Sequence, residues 1–510
     1  MMQKKNVRRF LALLLSVALM CGILPMTVWA DDSDEVVVTY YLTGDSGTTD
    51  TKTCQVVTAT TTTWTGTASE PGWYVVKTDG KKSLGFHDRI EVDGVVNLVL
   101  ANEGTFVPGK GIHVGKDSTL TIYKANADVN ASVQILANEL PEGCAGIGGD
   151  PGEVNGFITI NGGDFFVIGN KGAGIGAGAG AIDPADNQNR HIDINGGYVY
   201  AESLSGGAGI GGGANGVMTA VNINGGEIVA YGAAKAAGIG SGDSATGTVP
   251  VYIYGGKITA QGGEDGAGIG SGYRGAVATV QVWGGIVTAE GNGYAPGIGG
   301  YTFESGTAIY FRGDSIITAT GGENGGAGIG SAAYVEEFNG SVVMFNATIQ
   351  AQGGPGAAAI GGGYDVPSNA GVQFAPESGH SFSATLKAGE YNGSYGQAIG
   401  NGAGVDTQTG TTTFRFNGYE GVTVYGKSGE QALEENRVAM FSQSEVTIGI
   451  CQHPNSVTYQ ECVMENGESR HDRTVHCKYC NMLPEGTWDR EFHVFDPLTH
   501  ECACGHKALK

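Results

Sequence analysis

The chain has 510 residues, of which 90 are Gly, and 51 Asp and Glu outweigh 28 Lys and Arg to give a formal charge of −23. Such an acidic chain argues against nucleic acid and anionic membranes as partners, and glycine without an every-third-residue rule excludes collagen. The length alone suggests about three domains, but internal repeats override that prior.

The first thirty residues join a basic start (Lys4, Lys5, Arg8, Arg9) to an apolar run from Phe10 to Leu24 and the exit Val28-Trp29-Ala30. This is the pattern of a secretory signal cleaved before Asp31. Met20 before Cys21 speaks against a lipoprotein anchor, and no later stretch is apolar enough to span a bilayer. With no carboxy-terminal sorting motif found, the expectation is a secreted, extracellular protein of charge −27, with cell-surface association left open and no membrane insertion.

Residues 31–72, rich in Thr and Val, are expected to form a β cap. Residues 73–123 have a strand rhythm without glycine corners and are expected to form the first coils of a repeat array running to residue 450. Its marks are the isoleucines of Ala/Gly-Ile-Gly: Ile147, Ile175, Ile210, Ile239, Ile269, Ile298, Ile329, Ile360 and Ile399. Between them recur "ITINGGDFFV" (158–167), "IDINGGYVYA" (192–201), "VNINGGEIVA" (221–230), "VYIYGGKITA" (251–260), "VQVWGGIVTA" (280–289) and the degenerate "VVMFNATIQA" (342–351).

Each unit offers three short strands with period-two alternation, as in Val221 and Ile223 against Asn222 and Asn224. Three strands joined by sharp glycine turns make a triangular coil. Stacking the coils puts like residues above like, so the isoleucines should form one internal ladder. The predicted fold is all-β, a right-handed parallel β-helix of ~10–12 coils, roughly 50–60 Å long. A phosphate-binding loop is disfavoured by nine copies, no Lys-Ser/Thr ending and no following helix.

The run "WYVV…RIEVDGVVNLVLA…GIHV…LTIY" followed by "AGIGG…ITINGG" units resembles a group of exported bacterial surface proteins described as carbohydrate-binding or right-handed β-helix proteins. The resemblance covers roughly residues 70–400. Its relation to pectate-lyase-like β-helices implies a polysaccharide partner, and fold analogy alone does not establish one. The calcium-binding Asp cluster and Arg base of pectate lyases are not written here, nor are the Asp pairs, Gly-His-Gly and Arg-Ile-Lys of polygalacturonases. Asp150, Asp243, Asp265 and Asp365 near the corners read as solvated acids, with weak calcium binding as a lesser alternative. Carboxylates on adjacent coils within glycosidase range are a further one.

Outward positions of the strand before Gly-Gly carry a sharper pattern. They run Thr159/Asn161, Asp193/Asn195, Asn222/Asn224, Tyr252/Tyr254, Gln281/Trp283, Tyr310/Arg312 and Val343/Phe345. In register, Tyr252, Tyr254, Trp283, Tyr310, Arg312 and Phe345 would form a flat aromatic strip about 15 Å long that suits a linear glycan or a protein partner. Cross-strand packing of an exposed sheet is the competing reading. The Asn161/Asn195/Asn224 column reads as a hydrogen-bonded side-chain ladder.

Composition changes after residue 450, where six of nine Cys and six of ten His fall in the last sixty residues. Cys477, Cys480, Cys502 and Cys504 could hold zinc tetrahedrally. His453, His471 and His493 could build a second site, and His476 or His506 could substitute in the first. This 451–510 module resembles short zinc-ribbon-like repeats, and disulfides are the alternative in an exported chain. Cys54 and Cys144 could bridge or stay buried thiols.

The functional expectation is a non-catalytic glycan-binding or adhesive surface protein whose partner is a polysaccharide, a glycoprotein glycan or a host or cell-surface protein. A polysaccharide lyase or glycoside hydrolase, or a structural spacer, are the alternatives.

Overall fold

The structure is a computed structural model. It describes residues 35–450 except 44–46, 79–81, 102–103, 126–130, 137–138, 183–189, 247–249, 278, 304–307, 379, 406–409, 417–423, 429–430 and 433–443. Of the C-terminal region it describes the strand backbones 455–465, 468–477 and 488–492. Every regular element among the described residues is a strand, and the strands stack in parallel as a right-handed β-helix.

One coil shows how the sequence sets the path. Ala220–Ile223 lies on face 1, Glu227–Tyr231 on face 2 and Ile239–Gly240 on face 3. Val221, Ile223, Ile228, Ala230 and Ile239 point inward and are fully buried, while the alternate strand residues Asn222 and Val229 are partly exposed. Gly226, second of the Gly-Gly pair, turns the chain from face 1 to face 2 at φ 90°, a conformation that costs an L side chain about 1–2 kcal/mol.

Face 3 carries the isoleucine ladder. It has eleven rungs rather than nine, because Ile90 and Ile112 stack in register below Ile147. All eleven are fully buried, and each contributes about 1.5–3 kcal/mol relative to exposure. The glycine after each isoleucine from Gly148 to Gly400 has φ between 130° and 143°. A Cβ on Gly148 would lie 1.9 Å from the carbonyl oxygen of Gly176 above it, so the backbones approach too closely for any side chain. On face 2 the inner column Ala201, Ala230, Ala260, Ala289, Ala319 and Ala351 leaves room for the bulk opposite.

The N-terminal end is closed by strand pairing and packing. Glu35–Tyr41 and Thr49–Val56 form an antiparallel hairpin whose second strand joins Gly72–Val76 in face 1. Val38, Tyr40 and Cys54 pack on Val75 and Val99, making a separate apolar cluster outside the prism. Ile90–Leu100 spans two faces, bent at Gly94 (φ 80°). At the other end Glu445–Ile450 pairs antiparallel with Ser383–Lys387 and places Val446 and Ile448 in the core. That reversal ends the parallel run on face 2 and leaves Val424–Ser428 to pair outside it.

Candidate ligand-binding face

On face 1 the outward positions align coil upon coil as their spacing implies. Thr159, Asp193, Asn222, Tyr252, Gln281, Tyr310 and Val343 form one column. The next is Asn161, Asn195, Asn224, Tyr254, Trp283, Arg312 and Phe345, continued by backbone bonds such as Tyr254 N–H to Ile223 O and Trp283 N–H to Ile253 O. The asparagines are a ladder: Asn195 Nδ2 donates to Asn161 Oδ1 at 2.6 Å, and Asn224 Nδ2 to Asn195 Oδ1 at 2.7 Å. Asn222 likewise donates to Asp193 at 2.7 Å.

Above the asparagines the column becomes aromatic. Tyr254 and Trp283 are nearly parallel, with centroids 6.4 Å apart, and are 49% and 39% exposed. Tyr252 lies 6.2 Å from Tyr254. The guanidinium of Arg312 sits 4.7 Å from the Trp283 centroid, 4.3 Å from Phe345 and 5.3 Å from Tyr310. The six residues are thus brought together, but not as an uncovered flat strip. Arg312 lies over Trp283, Tyr310 and Phe345, and the most exposed aromatic area is at Tyr254 and Trp283.

Arg312 is held by rings rather than by acids. Its Nε is buried without a hydrogen-bond partner, and no ion pair with it occurs among the described residues. A cation stacked on three rings gains about 0.5–2 kcal/mol per contact.

Two further aromatic groups lie off face 1. On face 2, Phe166 stacks on Tyr200 at 4.5 Å and Tyr200 meets Tyr231 at 5.5 Å. Burial and the carboxylate of Glu202, which accepts the Tyr200 hydroxyl proton at 2.6 Å, push the Tyr200 phenol well up. Along the turns flanking face 3, Tyr294, Tyr334, Tyr364 and Tyr391 meet edge to face at 5.6, 5.5 and 5.1 Å across four coils. Their distances from the neighbouring Ile-Gly marks differ, so no single offset in the sequence reveals them.

The corner acids are not simply solvated. Asp265 Oδ1 accepts the Tyr294 N–H at 3.1 Å, Asp243 accepts the Ser244 hydroxyl at 2.8 Å, and Asp150 pairs with Arg89 at 2.7 Å. Cys54 and Cys144 are free and buried, which removes the bridge alternative. Burial pushes their thiols up to about 11 and about 12.

The metal set expected at the C terminus lies outside the described residues at His453, Cys480, His493, Cys502, Cys504 and His506. His471, His476 and Cys477 belong to strand 468–477, where Cα positions pair Cys462 with His471 and Asn455 with Cys477. Among the described residues one group, Glu91, His113 and Asp150, brings three potential ligand atoms within 4.8 Å of one another.

No curated protein and no solved structure matches the chain. The family model described as "Beta helix repeat" matches five stretches, 192–214, 221–243, 251–273, 280–300 and 342–364, each running from face 1 through face 2 to or just past the Ile-Gly of face 3.

Proposed function

We propose that this chain is an exported, non-catalytic β-helical rod that binds a polysaccharide or glycoprotein glycan along Tyr252, Tyr254, Trp283, Tyr310, Arg312 and Phe345. The observation that carries the reading is the stacked, exposed pair Tyr254 and Trp283 on face 1, with the Arg312 guanidinium packed on Trp283 beside them. Sugar rings lie with their C–H faces on aromatic rings, and a planar guanidinium takes hydroxyl or carboxylate oxygens through paired N–H groups. Sheet packing alone does not call for two large rings left 49% and 39% exposed at the middle of a rod.

The test is retention of the full chain on arrays of plant and mucin-type glycans beside Trp283→Ala and Tyr254→Ala, with folding checked by circular dichroism. Retention that falls at least about tenfold in the folded variants, equivalent to about 1.4 kcal/mol, is the expected result. Equal retention by parent and variants, or none by either, overturns the reading and leaves the rings as sheet packing.

A further inference from the structure

Below its regular region, the glycine column of face 3 is occupied by two chemically active side chains. The register Glu91, His113, Gly148 shows that Glu91 and His113 stand where every later coil has glycine. They stack directly on one another. His113 Nδ1 is 2.5 Å from Glu91 Oε2, and His113 Nε2 is 2.8 Å from Glu153 Oε2. Asp150, from the turn after Ile147, supplies the third carboxylate around the imidazole.

The surroundings are built rather than incidental. Arg89, its side chain 9% exposed, holds Asp150 at 2.7 Å and donates to the carbonyls of Lys110 and Ala145 at 2.7 and 3.1 Å. Gly115 leaves the imidazole its space, because a Cβ there would lie 3.2 Å from Cε1 and 3.3 Å from Nε2. Carboxylates only accept hydrogen bonds, so a neutral imidazole between Glu91 and Glu153 satisfies one of them and leaves the other facing a lone pair. A cation on one ring nitrogen removes that conflict, as a second ring proton also would.

We propose that Glu91, His113 and Asp150 form a divalent-metal site that takes zinc or a similar first-row ion. Nδ1 of His113 and one oxygen each from Glu91 and Asp150 are its ligands. Glu153, accepting the Nε2 proton, fixes the tautomer that turns the Nδ1 lone pair toward the ion, and Arg89 fixes Asp150. This is the carboxylate–histidine–metal arrangement in which outer partners orient inner ones. Three protein ligands of nitrogen and oxygen type suit zinc with one position left for water, and they differ in kind from the thiolates of the C-terminal tail. The site joins three successive coils at the start of the regular ladder, and its ligands reach solvent.

Zinc titration of the full chain by calorimetry, compared with His113→Ala and Glu153→Gln, tests the assignment. His113→Ala is expected to bind one equivalent fewer than the parent, whatever the tail binds in both. Glu153→Gln is expected to keep that equivalent with affinity about 10–100-fold lower. Glu91→Gln, which keeps the side-chain shape, is the second variant should His113→Ala fail to fold, and it is expected to weaken the same equivalent. Identical stoichiometry and affinity in the parent and either ligand variant overturn the proposal and leave a network of ion pairs.

Discussion

A methyl group on Gly270 would lie 2.0 Å from the carbonyl oxygen of Gly299, the residue directly above it in the next coil. Gly270 also has φ 134°, so Gly270→Ala meets both a steric and a conformational barrier. The expected cost exceeds about 2 kcal/mol, read as a lower urea midpoint. Gly85→Ala is the control, since nothing lies within 4 Å of its Cβ position and its φ is ordinary. That change is expected to stay within about 1 kcal/mol of the parent. Equal shifts for the two would show that the glycine column is not packing-limited.

Ile269, fully buried between Ile239 and Ile298, is a middle rung. Ile269→Ala removes apolar contacts and leaves a cavity worth about 2–5 kcal/mol. In a stacked array that loss acts on the nearest coils first. Limited proteolysis of the variant is therefore expected to open the chain near coils 239–298 at denaturant concentrations where the ends still resist. Cleavage spread evenly along the rod would argue for a single cooperative unit instead.

How much of this was legible in the sequence varies with how closely each feature follows the repeat. The rungs Ile147 to Ile399 are plain because Ala and Gly flank them, and the face 1 columns are plain because Gly-Gly fixes their phase. Ile90 and Ile112 are hidden because Glu91 and His113 follow them where the pattern expects glycine. The tyrosine row is hidden for another reason. Tyr294 and Tyr391 precede face 3 while Tyr334 and Tyr364 follow it, and only the folding of both turns to one side unites them. The stacking of Arg312 on three rings depends on side-chain direction, which register alone does not give.

Cys54 and Cys144 carry a pH signature. Both thiols are raised above the ordinary value of about 8.5, to about 11 and about 12, by burial. A raised folded-state value favours the protonated form. The stabilising contribution is therefore full below about pH 8.5 and is lost progressively as pH rises through 11 to 12. At pH 8 neither thiol is expected to be alkylated by iodoacetamide in the native protein, whereas both react in urea. Mass spectrometry of tryptic peptides after a timed pulse distinguishes the two. Rapid native labelling of Cys144 would contradict its burial.

The C-terminal tail is proposed to hold one structural zinc through Cys477, Cys480, Cys502 and Cys504. Zinc bound to a small module contributes directly to its folding, so removal should unfold the tail and spare the rod. A chelator is expected to make residues beyond 450 protease-sensitive while the far-ultraviolet signal of the β-helix persists. Cys480→Ser should reproduce that sensitivity without chelator. Resistance to chelator combined with sensitivity to a thiol reductant would assign the tail to disulfides.

Arg312 separates charge from shape on the proposed glycan face. Lysine keeps the positive charge but lacks the plane that lies over Trp283 and Phe345 and the paired N–H groups. If those groups hold sugar oxygens, Arg312→Lys should lose most of the retention that Arg312→Gln loses, with little dependence on salt. If long-range charge draws the ligand, Arg312→Lys should retain binding and the parent should weaken steeply as salt rises. The net charge of the chain, −23, opposes an anionic polymer at long range. The stacked geometry therefore favours the first outcome, a ligand recognised by close hydrogen bonds beside exposed rings and little affected by ionic strength.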